Sequence, residues 1–85
     1  MPVKFTSHAC ERMQQRGIPK DLVFRVLAWG QPTATRANDV WTVDPHRVSN
    51  RSLLKTLLNI AVVCTADLQV ITVYWIEKSQ KSAWV

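Results

Sequence analysis

A chain of 85 residues, 47% hydrophobic and 20% charged, is long enough for one hydrophobic core and too short for two, so residues 1–85 are read as a single domain. Its two glycines and four prolines exclude a fibrous or low-complexity chain. Lysine and arginine outnumber aspartate and glutamate eleven to six, and the resulting +5 fits either a polyanionic partner, with nucleic acid first, or the ordinary surface of a small soluble domain.

A short extended start leads to Thr6-Ser7, whose hydroxyls offer an N-cap for a helix running to Arg16, and Gly17 supplies a left-handed stop. Ala9 and Met13 share one helical face, while His8, Arg12 and Arg16 repeat at the same spacing on a neighbouring stripe. Pro19 suits the first position of a second helix, where its missing N–H would have no partner, and Asp21 falls in the first turn, where the helix dipole favours an acid. Leu22, Val23, Val26, Leu27 and Trp29 then recur at helical spacing until Gly30 and Pro32 end the segment.

From Thr33 onward β-branched and aromatic residues take over. Val40-Trp41-Thr42-Val43 reads as a strand, Asp44-Pro45 as a turn or bulge, and His46-Arg47-Val48 as a second short strand. Ser49 and Asn50 can both cap a helix ahead of Leu53, Leu54, Leu57 and Leu58, so 50–58 is a short third helix or, because the run is brief, a strand. Strands over 59–65 and 69–76 form a hairpin through Ala66-Asp67-Leu68. Alternation in the last strand puts Ile71, Val73 and Trp75 on the core face and Thr72 and Tyr74 on the other. The expected core is Leu22, Val23, Val26, Ile60, Val62, Ile71, Val73 and Trp75; the tail from Glu77 to Val85 is polar as far as Trp84, whose ring either pins it down or leaves it loose. The expected fold is α+β, with two N-terminal helices packed on one face of an antiparallel sheet of three to four strands.

Cys10 and Cys64 lie far apart, with no C-x-x-C spacing and no clustered histidines, which argues against a metal site. No apolar run has the length of a membrane span or a signal peptide. The expectation is a cytoplasmic protein with reduced thiols, no cofactor and no membrane partner.

The most distinctive stretch is His8-Ala9-x-x-Arg12-x-x-x-Arg16-Gly17-Ile18. It resembles the opening of a small bacterial domain-of-unknown-function family, whose closing strand of the form I-T-V-Y is matched by Ile71-Thr72-Val73-Tyr74. The resemblance spans nearly the whole domain, anchored at both ends. That family is distantly similar to the RelE and BrnT toxins, small ribonucleases paired with antitoxins. The likeness implies a RelE-like fold, an RNA-directed role, and an antitoxin or other protein as partner.

The residues can be weighed on their own chemistry. Metal-free cleavage of RNA needs a base for the ribose 2′-OH, cations for the charge building on phosphorus, and an acid for the leaving oxygen. His8 is the natural proton-transfer group, Arg12 and Arg16 line up as a phosphate clamp, and Tyr74 can hydrogen-bond or stack on a base. His46, beside Arg47, could supply the second proton transfer. The first reading is thus a metal-independent RNA endonuclease or an RNA-binding relative, with His8, Arg12, Arg16 and Tyr74 as the catalytic set and Arg12, Arg16, His46, Arg47 and Thr72 contacting nucleic acid. Each residue has a plainer role: His8 as a partial cap, Arg12 paired with Glu11 or Asp21, Arg16 on the carbonyls of its own helix end, Thr72 and Tyr74 as a solvent face, and the tryptophans, Trp41 included, as core and rim rather than stacking platforms. Competing classes are a non-catalytic module that binds an antitoxin, a ribosomal surface or another protein, and a structural domain without chemistry. If His8 works on a substrate, it belongs in a polar cleft where the first helix begins to meet the Thr72/Tyr74 face, unless Glu11, Asp21 or Glu77 neutralises the stripe.

Overall fold

The computed structural model describes residues 3–76. Thr6 Oγ1 accepts the Ala9 N–H at 3.0 Å and opens α1 (Ser7–Arg16). Gly17, at φ 64°, closes it: its N–H reaches the Gln14 carbonyl, that of Ile18 reaches Met13, and the Ile18 side chain turns into the core. In α2 (Lys20–Trp29) Pro19 is the N-cap rather than the first helical residue, because it stays extended at ψ 160° while its carbonyl receives the N–H groups of Leu22 and Val23.

Five strands form one sheet in the order β1-β5-β4-β3-β2: β1 (Lys4–Phe5), β2 (Gly30–Ala34), β3 (Asp39–Val43), β4 (Ile60–Cys64) and β5 (Gln69–Trp75). The fold is α+β, but the sheet is larger than expected and mixed, since β1 runs parallel to β5 while the other pairs are antiparallel. The extended start is itself β1. Gly30 and Pro32 do end the second helix, yet the chain continues at once as an edge strand. The Trp29 carbonyl accepts from Asp44 and the Thr35 N–H donates to Asn38, so the ladder uses odd positions and Pro32 faces the open edge, where its missing N–H costs nothing.

His46-Arg47-Val48 is not a strand. Pro45–Arg47 forms a 3₁₀ turn, nucleated by the Asp44 carboxylate, which accepts the His46 N–H at 3.0 Å. The segment after it is helical: α3 (Arg51–Leu57) begins with Asn50 Oδ1 accepting the Leu53 N–H at 3.1 Å, a cap that decides between helix and strand.

All three helices contribute to one core on one face of the sheet. Ala9 and Met13 of α1, Val23 and Val26 of α2, and Leu57 of α3 pack with Ile60, Val62, Cys64, Val70 and Val73. Of the expected core, Val23, Val26, Ile60, Val62 and Val73 are fully buried and Leu22 lies at the margin, whereas Ile71 is only half-buried and Trp75 is 38% exposed. Val70 replaces them. For Ile71 the reason is a β-bulge: Val63 faces Thr72 and Cys64 faces Val70, so Ile71 is an extra residue and the alternation shifts by one before it; Trp75, opposite the buried Ile60, keeps the face of Val73 but is the last residue of the strand. Thr72 and Tyr74 nevertheless occupy the opposite face, in rows that run Thr33, Val40, Val63, Thr72 and, beside them, Ala61 with Tyr74. Trp41, opposite Val62, packs half-buried against the core with its buried indole N–H unpartnered among the described residues.

The β4–β5 hairpin turns at Thr65-Ala66-Asp67-Leu68, where the Thr65 carbonyl accepts the Leu68 N–H at 3.0 Å and Leu68 takes φ 62°, a left-handed setting that branched apolar residues rarely adopt. The Thr65 hydroxyl beside Asp67, with a backbone hydrogen bond, holds that carboxyl below its usual range.

Both cysteines are free, Cys10 on the surface and Cys64 in the core. Burial, with a smaller push from Asp39 across the β3–β4 ladder, raises the Cys64 thiol from 9.0 to about 11. The folded chain therefore keeps this proton between about pH 9 and pH 11 while the unfolded chain releases it, so stability is full below that window and falls as pH rises through it. The expected loss is on the order of 2–3 kcal/mol in urea titrations at pH 11 relative to pH 8. Cys64→Ala should be less stable at both pH values but lose this portion of the alkaline slope; an unchanged slope would refute the assignment.

Candidate functional site

β1 pairs with β5 only at Gln69 and Val70, and beyond that point the edge of β5 is met by α1. Thr6 Oγ1 donates to the Ile71 carbonyl at 3.2 Å, Arg16 Nη1 donates to the Val73 carbonyl at 2.5 Å, and Trp75 Nε1 donates back to the Arg16 carbonyl at 2.6 Å. These bonds satisfy edge carbonyls that a further strand would otherwise take, and the last satisfies the end of the helix. Arg16 is half-buried and tied to the strand edge rather than to its own helix end.

One and two turns earlier the stripe is open to solvent. Arg12 Nε donates to His8 Nε2 at 3.4 Å and Arg12 Nη1 donates to Gln15 Oε1 at 3.2 Å. The three side chains form a short chain along α1, with His8 and Gln15 exposed and Arg12 half-buried. Neither Glu11 nor Asp21 pairs with Arg12; Glu77 lies outside the described residues, as does the tail with Trp84. Among the described residues the ion pair is Arg47 Nε with Asp44 Oδ2, at 4.0 Å. Among the described residues the side-chain partners of Arg12 are thus His8 and Gln15.

Among the described residues no hydrogen bond joins Thr72 or Tyr74 to this group: α1 packs Ala9 and Met13 on the helix-covered face of the sheet, while Thr72 and the 37% exposed Tyr74 project from the other. Of the stripe, Arg16 is the member that bonds β5, through the Val73 carbonyl, and the expected cleft between the start of the first helix and the Thr72/Tyr74 face is bridged by no side-chain hydrogen bond among the described residues. His46 and Arg47 follow β3, separated from β5 by β4, and Arg47 is engaged with Asp44. The order of strands thus keeps the two histidines on different parts of the sheet. Gln15 went unnoticed in the sequence although its spacing from Arg12 is a helical one; the Trp75 contact with Arg16 had no local signal at all.

Among the described residues no cluster of histidine, cysteine or carboxylate side chains could hold a metal ion, and no helix is long and apolar enough to cross a membrane. No curated protein and no solved structure matches the chain. The family described as domain of unknown function DUF4258 matches residues 5–75, a span that runs from β1 to the last residue of β5 and includes both the His8–Arg12 stripe and the I-T-V-Y strand, and the chain belongs to that family.

Proposed function

We propose that the protein is an RNA-binding relative of the toxin-like ribonucleases, with a phosphate of single-stranded RNA seated on Arg12 beside His8. The observation that carries this reading is the His8–Arg12–Gln15 chain, in which a half-buried guanidinium is oriented by two exposed side chains and pairs with no carboxylate among the described residues. A guanidinium so placed keeps its charge for an anion, and its Nη2 group makes no hydrogen bond among the described residues. The net charge of +5 adds long-range attraction for a polyanion. Binding is favoured over cleavage because cleavage asks for two proton-transfer groups at one phosphate, and His46 lies across β4 from the strand that carries α1.

Titration with an unstructured RNA oligonucleotide over a range of salt concentrations tests this. Arg12→Ala should weaken binding and flatten the plot of log affinity against log salt by about 0.7, the loss of one phosphate contact on a single strand. The same affinity and slope in the variant would remove the phosphate seat. Growth arrest on induction, with new RNA ends that vanish in His8→Ala, would replace binding by cleavage.

A further inference from the structure

A second surface, away from α1, has a different chemistry. The 3₁₀ turn and α3 enclose an open cleft of about 420 Å³ lined by Pro45, Val48, Arg51, Leu54, Lys55 and Leu58. Its floor is aliphatic: Val48 is buried, Leu54 half-buried, and Leu58 39% exposed. Its rim is cationic, because Arg51 and Lys55 stand one turn apart on α3 and are both exposed. Neither has a carboxylate partner among the described residues, and the acid next to the cleft, Asp44, is already engaged by Arg47 and by the His46 N–H.

Stability does not account for this arrangement. Arg51 occupies the first turn of α3, which contains no acid and where the helix dipole disfavours a cation. Leu58, just past the helix end and 39% exposed, adds its apolar surface to that of Leu54 on the same cleft. Both features become favourable once an anionic, partly aliphatic partner covers them.

We infer that this cleft is the docking site for an acidic amphipathic segment of a protein partner, a leucine-type side chain seated between Leu54 and Leu58 and carboxylates one turn apart meeting Arg51 and Lys55. Charge complementarity selects the sign of the partner. The floor selects its class: bases bind by stacking on aromatic rings, and the residues lining this cleft include aliphatic side chains but no aromatic ring, which favours a peptide over a stacked base. The site is independent of the phosphate seat on α1.

The probe is a short fluorescent helical peptide with a leucine stripe flanked by glutamates, compared with the same peptide carrying lysines and with an RNA oligonucleotide. The acidic peptide should bind, and Arg51→Glu with Lys55→Glu should weaken it about tenfold or more and transfer preference to the lysine peptide. Leu58→Ser should weaken both pairings, and Arg12→Ala should change neither. Amide shifts of the wild-type protein should cluster at Val48, Leu54 and Leu58 on adding the peptide, a readout that stands even if the charge-reversed variant fails to fold. No binding of the acidic peptide, equal binding of both peptides, shifts elsewhere, or displacement of the peptide by RNA would each overturn the proposal.

Discussion

Gly30→Ala is expected to cost about 3 kcal/mol or more, and to abolish cooperative unfolding if the fold has little to spare. The position is buried, and a Cβ there would collide with the carbonyl oxygen of Val26 and lie 2.6 Å from that of Thr42. Both obstacles are backbone atoms, one in the last turn of α2 and one in β3, so neither can swing aside as a side chain would. Relief requires the helix to move off the sheet at the place where it passes directly into β2. The dihedrals are not the cause, since φ is −103°. Gly17 is the control: it needs its left-handed φ of 64° but has nothing within 4 Å of an added Cβ, and its replacement by alanine should cost only about 1 kcal/mol. Urea titration of the two variants checks the order, and equal small losses would show that α2 does not press on β3 in this way.

Val73→Asp should be the other severe substitution, on the order of 4 kcal/mol, because a carboxylate would enter the fully buried, apolar side of β5 shared by Val62 and the helices. Burying a valine contributes about 1.5–3 kcal/mol, and the substitution forfeits that as well. The adjacent Thr72→Asp should cost about 1 kcal/mol or less, since its half-buried side chain leaves from the face opposite the helices. Thermal melts that gave the two variants the same stability would reject the assignment of faces on which the separation of Tyr74 from the His8–Arg12 stripe depends.

Local signals were legible in the sequence and long-range ones were not. Thr6, Gly17 and Asn50 mark helix ends through hydrogen bonds to residues at most five positions away, and each of those ends lies where the capping rules put it. β1 is two residues long and is a strand only because residues 69–70, far along the chain, lie beside it. β2 hides behind Gly30 and Pro32, which carry the signature of a break whether the chain turns away or continues along a sheet edge. The Ile71 bulge likewise depends on where β4 stops, so simple alternation placed Ile71 in the core and passed over Val70. For the site, helical spacing was enough to align His8 with Arg12. The engagement of Arg16 with Val73, across 57 residues, was beyond any periodicity.

The hydrogen bond that Trp75 donates to the Arg16 carbonyl joins positions 59 apart, and the parallel pairing of β1 with β5 joins others 65 apart. The first and last elements of the described fold therefore serve as each other's docking partners, and α1 has little to bury its apolar side against until β5 has formed. Closing so long a loop costs entropy before any of these contacts forms, which places folding among the slower mixed α/β chains rather than the helical ones. During synthesis the N-terminal helix must wait on the ribosome until the segment through Trp75 has emerged, so that a chain stalled short of β5 presents Ala9 and Met13 to the solvent as an unfinished surface.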